Sequence, residues 1–256
     1  MSAAFYDQLA PFYHLLYGDW DASIHDQGAA LAKLLIARGV PVGARVLDAA
    51  CGIGTQTLGL AGEGYVMAAS DLSPGGVARL DEEAARRGLA VSSRVDDLRT
   101  LAGAADGSLD AVIACDNSIP HLLTDEALLQ SFRNCLRVLR AGGLAVFSVR
   151  DYAAIPRVHP DVRPYGLRRE GTDRFLAVQV WEWDGDQYDV RMYLTREAAD
   201  GACSTQVMKA RYYAVTIDRL LALMAQAGFT DLERLDDVLF QPVLVGRRPG
   251  PRTVSR

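Results

Sequence analysis

The spacing of apolar and polar positions changes several times along the chain, and each change marks a new kind of element. In the first forty residues Ile24, Gly28, Leu31 and Leu35 recur at helical spacing, and Arg38-Gly39 ends the run. Residues 1–40 therefore read as an N-terminal arm followed by a helix. From Pro41 onward, short apolar runs alternate with helical segments. Strands are predicted at 45–49, 65–70, 91–95, 109–115 and 144–149. Ser73 followed by Pro74 has the chemistry of an N-cap and first helical position. Thr124 with Asp125 and Glu126 opens another helix, whose stripe is Phe132, Cys135, Leu136 and Leu139 and which Gly142-Gly143 closes. Repeated strand–helix–strand units over 41–150 predict an α/β fold with a parallel sheet covered on both faces.

That rhythm fails at 151–171, which is rich in proline, arginine and glycine. Residues 174–183, 188–195 and 204–213 then alternate with period two, and Asp184-Gly185 supplies a hairpin turn. Residues 151–214 thus read as an inserted antiparallel β lid. Helical spacing returns at Ile217, Leu220, Leu221 and Met224, and Gly228 ends it. Strands at 232–235 and 240–245 complete the core within 215–247, leaving 248–256 as a tail expected to be flexible.

Composition narrows the function classes. The chain has 256 residues, a net charge of −5 and a pI near 5.4. A chain of this length buries a large core, and the acidic balance argues against nucleic acid or an anionic membrane as a partner. No apolar run is long enough to span a bilayer, and the first fifteen residues lack the pattern of a signal peptide. Cys51, Cys115, Cys135 and Cys203 are scattered without metal-ligand spacing, so buried reduced thiols in a cytoplasmic protein are expected, with no metal. Self-association is left open.

The strongest chemical signal is Val46-Leu47-Asp48-Ala49-Ala50-Cys51-Gly52-Ile53-Gly54-Thr55, a glycine-rich turn between a strand and a helix. Gly52 and Gly54 remove side chains that would block a ligand from the backbone. A dinucleotide fingerprint would need glycine at 57, where Thr57 stands. Asp48 at the turn's entry suits the ammonium of a methionine moiety better than a pyrophosphate. Asp71 closes the second strand, where an acid accepts ribose hydroxyls or, alternatively, charges the start of the Ser73 helix. Asp97 closes the third strand and Leu98 follows it, a pairing able to hold adenine's amine and cover its ring. A solvated Asp96-Asp97 loop is the alternative.

Together these segments resemble a class I S-adenosylmethionine (SAM)-dependent methyltransferase, which implies a Rossmann-like seven-stranded sheet with helices on both faces. Within that class, Asn117-Ser118-Ile119-Pro120-His121-Leu122, Leu139-Arg140-Ala141-Gly142-Gly143-Leu144 and Arg150-Asp151-Tyr152 resemble segments of the glycine/sarcosine N-methyltransferases. The arm from Tyr6-Asp7 to Gly18-Asp19-Trp20 and the late Arg211-Tyr212-Tyr213 fit as well. The resemblance implies that Ala50, Asp71 and Leu72 line the cofactor, with Asp97 and Leu98 at its adenine. Cys115 would border it through backbone, His121 would lie near its carboxylate, and Tyr6 and Tyr13 would close over it. Substrate contacts would fall on Asn117 and Arg150, with Tyr212 or Tyr213 nearby.

Arg150 has the planar fork that grips a carboxylate, though a surface arginine after a strand reads the same way. His121 alternatively caps the next helix. Trp181, with Trp183 and Tyr193, either walls a substrate pocket or forms the lid's own core. Three departures stand out: Asp116 replaces a glycine, Tyr13 replaces a tryptophan, and an arginine after the arm's Gly-Asp has no counterpart, so His25 or His121 would take its place. Asp116 brings a carboxylate near the transferring methyl, as base or as ligand for a substrate ammonium. The expectation is a methyltransferase acting on a small molecule, best a glycine- or sarcosine-like amine, through Asn117, Arg150 and Asp116. Methylation of a larger natural product, nicotinamide-dependent oxidoreduction and non-catalytic SAM binding are the alternatives.

Overall fold

The computed structural model describes residues 2–250. The arm is itself helical: α1 (Ser2–Leu9) continues into a tight helical turn over Ala10–Leu16. After it comes α2 (Trp20–Ala37), capped by the Asp19 carboxylate accepting from Ala22 N. Ile24, Gly28, Leu31 and Leu35 are all buried on its inner face.

The core runs β1 (Arg45–Asp48), α3 (Thr55–Gly62), β2 (Val66–Asp71), α4 (Pro74–Arg87), β3 (Val91–Val95), β4 (Leu109–Ala114), α5 (Asp125–Val138) and β5 (Leu139–Ser148). Ser73 Oγ caps α4 by accepting from Gly76 N, and Thr124 caps α5. A four-stranded antiparallel sheet follows, of β6 (Asp161–Glu170), β7 (Asp173–Asp184), β8 (Gln187–Glu197) and β9 (Cys203–Tyr213). The chain then returns to the core with α6 (Ile217–Ala227), β10 (Thr230–Leu235) and β11 (Val243–Arg247).

The main sheet has the order β10-β11-β5-β4-β1-β2-β3, and only β11 runs antiparallel to its neighbours. The chain leaves β1 toward β2 and β3, then returns to place β4 on the other side of β1. That reversal opens a crevice at the carboxyl ends of β1 and β4, where ligands of open α/β sheets bind. Leu128, Phe132 and Cys135 of α5 and Leu220, Leu223 and Met224 of α6 bury one face of the sheet. Leu31, Leu34 and Leu35 of α2 and Leu60 of α3 bury the other. Helices α2 and α3 touch backbone to backbone at Gly28 and Gly59: a Cβ on Gly28 would lie 2.6 Å from Gly59 Cα. The pair can approach only because neither residue has a side chain, and the approach fixes the start of α3 beneath the crevice.

Three local expectations are corrected. Helix α5 ends at Val138, before the Gly142-Gly143 pair, because Leu139 turns extended and pairs with Leu109; residues 140–143 loop out before Leu144 pairs with Ala111. The lid gains a fourth strand, β6, inside the stretch read as irregular. Pro164 and Gly166 obscured it, and they are tolerated because β6 is an edge strand with a bulge at that point. Phe240 lies outside the last strand. Cys51, Cys115 and Cys135 are buried, whereas Cys203 at the head of β9 is exposed. The expected tail lies, from residue 251 on, outside the described residues.

The inner face of the lid sheet presents Phe175, Trp181, Tyr188, Met192, Met208 and Tyr212, packed with Phe5, Leu9 and Leu15 of the arm. Arm and lid are also tied by polar contacts, His14 Nε2 to Glu170 Oε1 at 2.9 Å and Arg168 Nε to Tyr17 O at 2.9 Å. No helix among the described residues is long and apolar enough to cross a membrane.

Candidate active site

Two neighbouring cavities occupy the crevice. The first, about 490 Å3, lies over the carboxyl ends of β1–β4 and is lined by the turn after β1, the ends of β2 and β3, and the segment after β4. The second, about 330 Å3, lies between the arm and the lid. Tyr6, Tyr13, Tyr17 and Asp116 line both, so these four side chains form the wall between them.

The first cavity is built largely from backbone and strand-end acids. Gly52 sits at φ 51°, a conformation that favours glycine, and donates its N–H to Asp71 Oδ2 at 2.9 Å. Asp71 Oδ1 accepts from Ser73 N at 2.8 Å, so one carboxylate ties the first turn to the start of α4. Burial raises the Asp71 carboxyl's pKa, and backbone donors from Ser73, Gly52 and Leu72 oppose that rise. Asp97 also lines this cavity, although its carboxylate is held by Arg99 at 2.6–3.1 Å. Burial works to raise its pKa, but the Arg99 bonds outweigh it and the net shift is downward. Ala50, Leu72, Leu98 and Cys115 complete the wall. His121 lies in it with Nε2 2.8 Å from Tyr6 Oη, while among the described residues its buried Nδ1 has no partner. Burial lowers its pKa to about 4, so the ring is neutral near pH 7. His25, the other histidine considered, is exposed on α2 beside Asp26 and touches neither cavity.

These residues suit SAM. A side-chain-free turn, a strand-end carboxylate, an apolar shelf at Leu98 and an orphaned imidazole nitrogen are complementary to a nucleoside bearing an amino-acid tail.

The second cavity has a different character. Asp116 stands at its junction with the first at φ 56°, and Asn117 follows at φ 64°. Left-handed backbone at two successive residues with side chains is strained, by roughly 1–3 kcal/mol each. The strain is held by Asp116 N donating to Ser148 Oγ at 2.8 Å and Asn117 N donating to Ser148 O at 3.0 Å. This conformation also explains why glycine suits position 116, and it makes a carboxylate there conspicuous.

A directed chain of hydrogen bonds ends on that carboxylate. Trp20 Nε1 donates to Thr55 Oγ1 (2.9 Å), Thr55 Oγ1 to Tyr17 Oη (3.2 Å), and Tyr17 Oη to Asp116 Oδ2 (3.2 Å). Burial pushes the phenols of Tyr6, Tyr13 and Tyr17 well above their ordinary range, so they remain protonated donors. Burial also raises the Asp116 carboxyl, with Arg150, Tyr17 and Tyr13 pulling the other way.

Arg150 lines the second cavity, its guanidinium over the Trp181 ring at 5.3 Å. Among the described residues it forms no ion pair. Gln179 lines the same cavity; its Oε1 accepts from Trp181 Nε1 at 2.8 Å, and among the described residues its amide nitrogen has no hydrogen-bond partner. Tyr212 closes the wall, stacked on Tyr188 and 4.1 Å from the His121 ring.

Five residues read from the sequence as site contacts line neither cavity. Asn117 is 1% exposed and its amide is spent: Nδ2 donates to Tyr152 Oη and Oδ1 accepts from Arg150 N. It holds the Arg150 backbone through that last bond. Asp48 lies beneath the turn, accepting from Thr57 Oγ1 at 2.8 Å and Ala50 N at 3.4 Å. Gly54 is needed for packing, since a Cβ there would meet Leu80 Cδ1 at 2.3 Å. Tyr213 points away and donates to Asp125 Oδ1. Trp181 is a buried lid residue that supports Arg150 and Gln179 from behind. Conversely, Tyr17, Thr55, Gln179 and Tyr165 were missed. Tyr17 shares the arm with Tyr6 and Tyr13 and was the most findable; Tyr165 lay in the unrecognised strand.

Known proteins share the domain and the fold. Residues 46–143 match the methyltransferase domain family. The chain is 28% identical over 203 residues to YqeM of Bacillus subtilis, a candidate methyltransferase, covering 73% of this chain and 74% of that one. It is 30% identical over 134 residues to the glycine/sarcosine N-methyltransferase of Parasynechococcus marenigrum, covering 52% of this chain and 46% of that enzyme. The amino pentose methyltransferase CalS10 of Micromonospora echinaspora, solved with SAM bound, shares the fold with a TM-score of 0.73 at 21% identity, over 88% of this chain and 91% of that one. Fold, cradle and relatives define an enzyme of the class I SAM-dependent methyltransferases. The nicotinamide and non-catalytic alternatives fall away with that assignment.

Proposed function

We propose that the enzyme methylates the amine of a small acceptor that also carries a carboxylate, an amino acid of which glycine and sarcosine are the simplest forms. The observation that carries this reading is that Asp116 and Arg150 face one cavity without pairing with each other. A carboxylate at the junction with the SAM cavity and a half-buried guanidinium farther in complement an ammonium and a carboxylate on the same molecule. The partial match to a glycine/sarcosine enzyme supports the same head group.

When bound, SAM supplies an electrophilic methyl group on a sulfonium. The chain's own residues then have three tasks. Arg150 and the Gln179 amide nitrogen hold the acceptor's carboxylate, aiming its nitrogen at the junction. Asp116 accepts the proton that an ammonium must lose before its lone pair can attack, and burial raises its affinity for that proton. The tyrosine wall and the arm–lid contacts exclude water. Alignment of this kind supplies roughly 7–11 kcal/mol of barrier lowering.

An assay for released S-adenosylhomocysteine with glycine, sarcosine, dimethylglycine, amino sugars and phenols tests the reading, and an amino acid is expected to lead. Arg150→Ala is expected to raise KM for that acceptor about tenfold to a hundredfold, as loss of a charge-assisted pair does. Unchanged kinetics in Arg150→Ala would remove the carboxylate from the reading.

A further inference from the structure

The polar end of the second cavity accounts for only part of it. Asp116, Arg150 and Gln179 suffice for an amino-acid head group, yet the cavity holds about 330 Å3. At about 30 Å3 of liquid per water, that is room for on the order of ten non-hydrogen atoms. Glycine and sarcosine, with about half that number of non-hydrogen atoms, would leave roughly half of it filled with water. The remaining wall includes an apolar stretch, formed by Phe5, Leu9 and Leu16 of the arm and by Phe240, beside the polar Ser23 and Gln27. Water held against such a wall is unfavourable, and an apolar ligand group that displaced it would gain the transfer free energy of its buried surface.

Phe240 is the most informative of these. It sits in the turn before β11, outside the sheet, and is 67% exposed, more than any other large apolar residue described. A lone exposed phenyl is ordinary on a protein surface, but this one borders a cavity that other aromatic rings also line. Phe5, Tyr13 and Tyr212 supply ring edges and faces around the same space.

We infer that the acceptor is an aromatic amino acid, its ring lodged between Phe240 and the arm while its amine meets Asp116 and its carboxylate meets Arg150. This rests on the head-group reading above and extends it from the polar end of the cavity to the apolar one.

The test is kcat/KM for S-adenosylhomocysteine release with glycine, sarcosine, phenylalanine, tyrosine and tryptophan, and with phenethylamine as a ring lacking the carboxylate. An aromatic amino acid is expected to exceed glycine by about a hundredfold, as burial of a ring predicts. Phenethylamine should fall well below it. Phe240→Ala should cut the aromatic-to-glycine ratio about tenfold, with SAM affinity measured by calorimetry to show that the variant is folded. Glycine or sarcosine equal to or better than every aromatic acceptor would overturn the inference and leave the head-group reading intact, as would an unaltered ratio in Phe240→Ala. Phenethylamine matching phenylalanine would overturn the carboxylate contact and with it the assignment to an amino acid. Retained SAM binding with no amine methylated would overturn both readings.

Discussion

The two cavities share a wall but are made of different material. The SAM side is formed by a turn, three strand ends and the backbone they expose, with Asp71 tying Gly52 to Ser73. The proposed acceptor side is formed by side chains from the arm, the lid and the turn before β11, parts distant in sequence that meet only in the folded chain. Chemistry common to all SAM enzymes can be fixed by local backbone geometry. Acceptor choice needs side chains that can be exchanged without disturbing that backbone, so it is carried on inserted and appended parts.

Asp116 belongs to both cavities, so changing it should produce the largest effect. Asp116→Asn keeps an acceptor for the Tyr17 hydroxyl but removes the proton acceptor. Turnover is expected to fall a hundred- to ten-thousandfold, with SAM affinity nearly unchanged. The pH profile gives a second readout. In the native enzyme, activity should rise with pH as the Asp116 carboxyl ionises, at a value raised above the ordinary carboxylate range by burial. That limb should vanish in Asp116→Asn and only move in Tyr17→Phe, which removes one donor to the carboxylate. An unaltered profile in Asp116→Asn would leave this residue a ligand rather than a base.

A change confined to the other cavity should act on binding instead. Asp71→Ala removes the carboxylate that joins the turn to α4. Hydrogen bonds to charged groups contribute about 1.5–3 kcal/mol each, so SAM affinity measured by calorimetry should drop about a hundredfold. Acceptor preference at saturating SAM should stay as it was. A shift in preference would mean that the two cavities are not separable in this way.

The same contrast governs what could be read from the amino-acid sequence. The alternating α/β core was legible because its strands are short apolar runs punctuated by glycine and by caps such as Ser73 and Thr124. Most residues expected at SAM line the first cavity because they fall at strand ends, whose positions follow from the pattern, whereas Asp48 and Gly54 lie outside it. Strand β6 was hidden because Pro164 and Gly166 contradict strand chemistry except on a bulged edge. Asn117 and Trp181 were assigned to the substrate because residue type reveals hydrogen-bonding capacity but not how it is spent. Asn117 spends it on Tyr152 and the Arg150 backbone, and Trp181 on Gln179. Gln179 joins the site only because lid and arm face each other, a relation that no local pattern around residue 179 carries.

Asp48 offers the finest test, because sequence and structure place it on opposite sides of the turn. It is 1% exposed, and burial raises its pKa to about 7, with the Thr57 and Ala50 bonds opposing. The folded protein therefore prefers the protonated acid relative to the unfolded chain, whose value is the ordinary 3.8. The resulting stabilisation is complete below that ordinary value and is lost as pH rises through about 7; it amounts to at most about 4 kcal/mol for such a shift. Asp48→Asn mimics the neutral acid and retains an acceptor for Thr57. The variant should lose that part of the native fall in melting temperature between pH 5 and 8, and SAM affinity should change less than about threefold, under 0.7 kcal/mol. A loss of affinity beyond tenfold would return Asp48 to the cavity wall and make the SAM ammonium, rather than the turn, the partner of its charge.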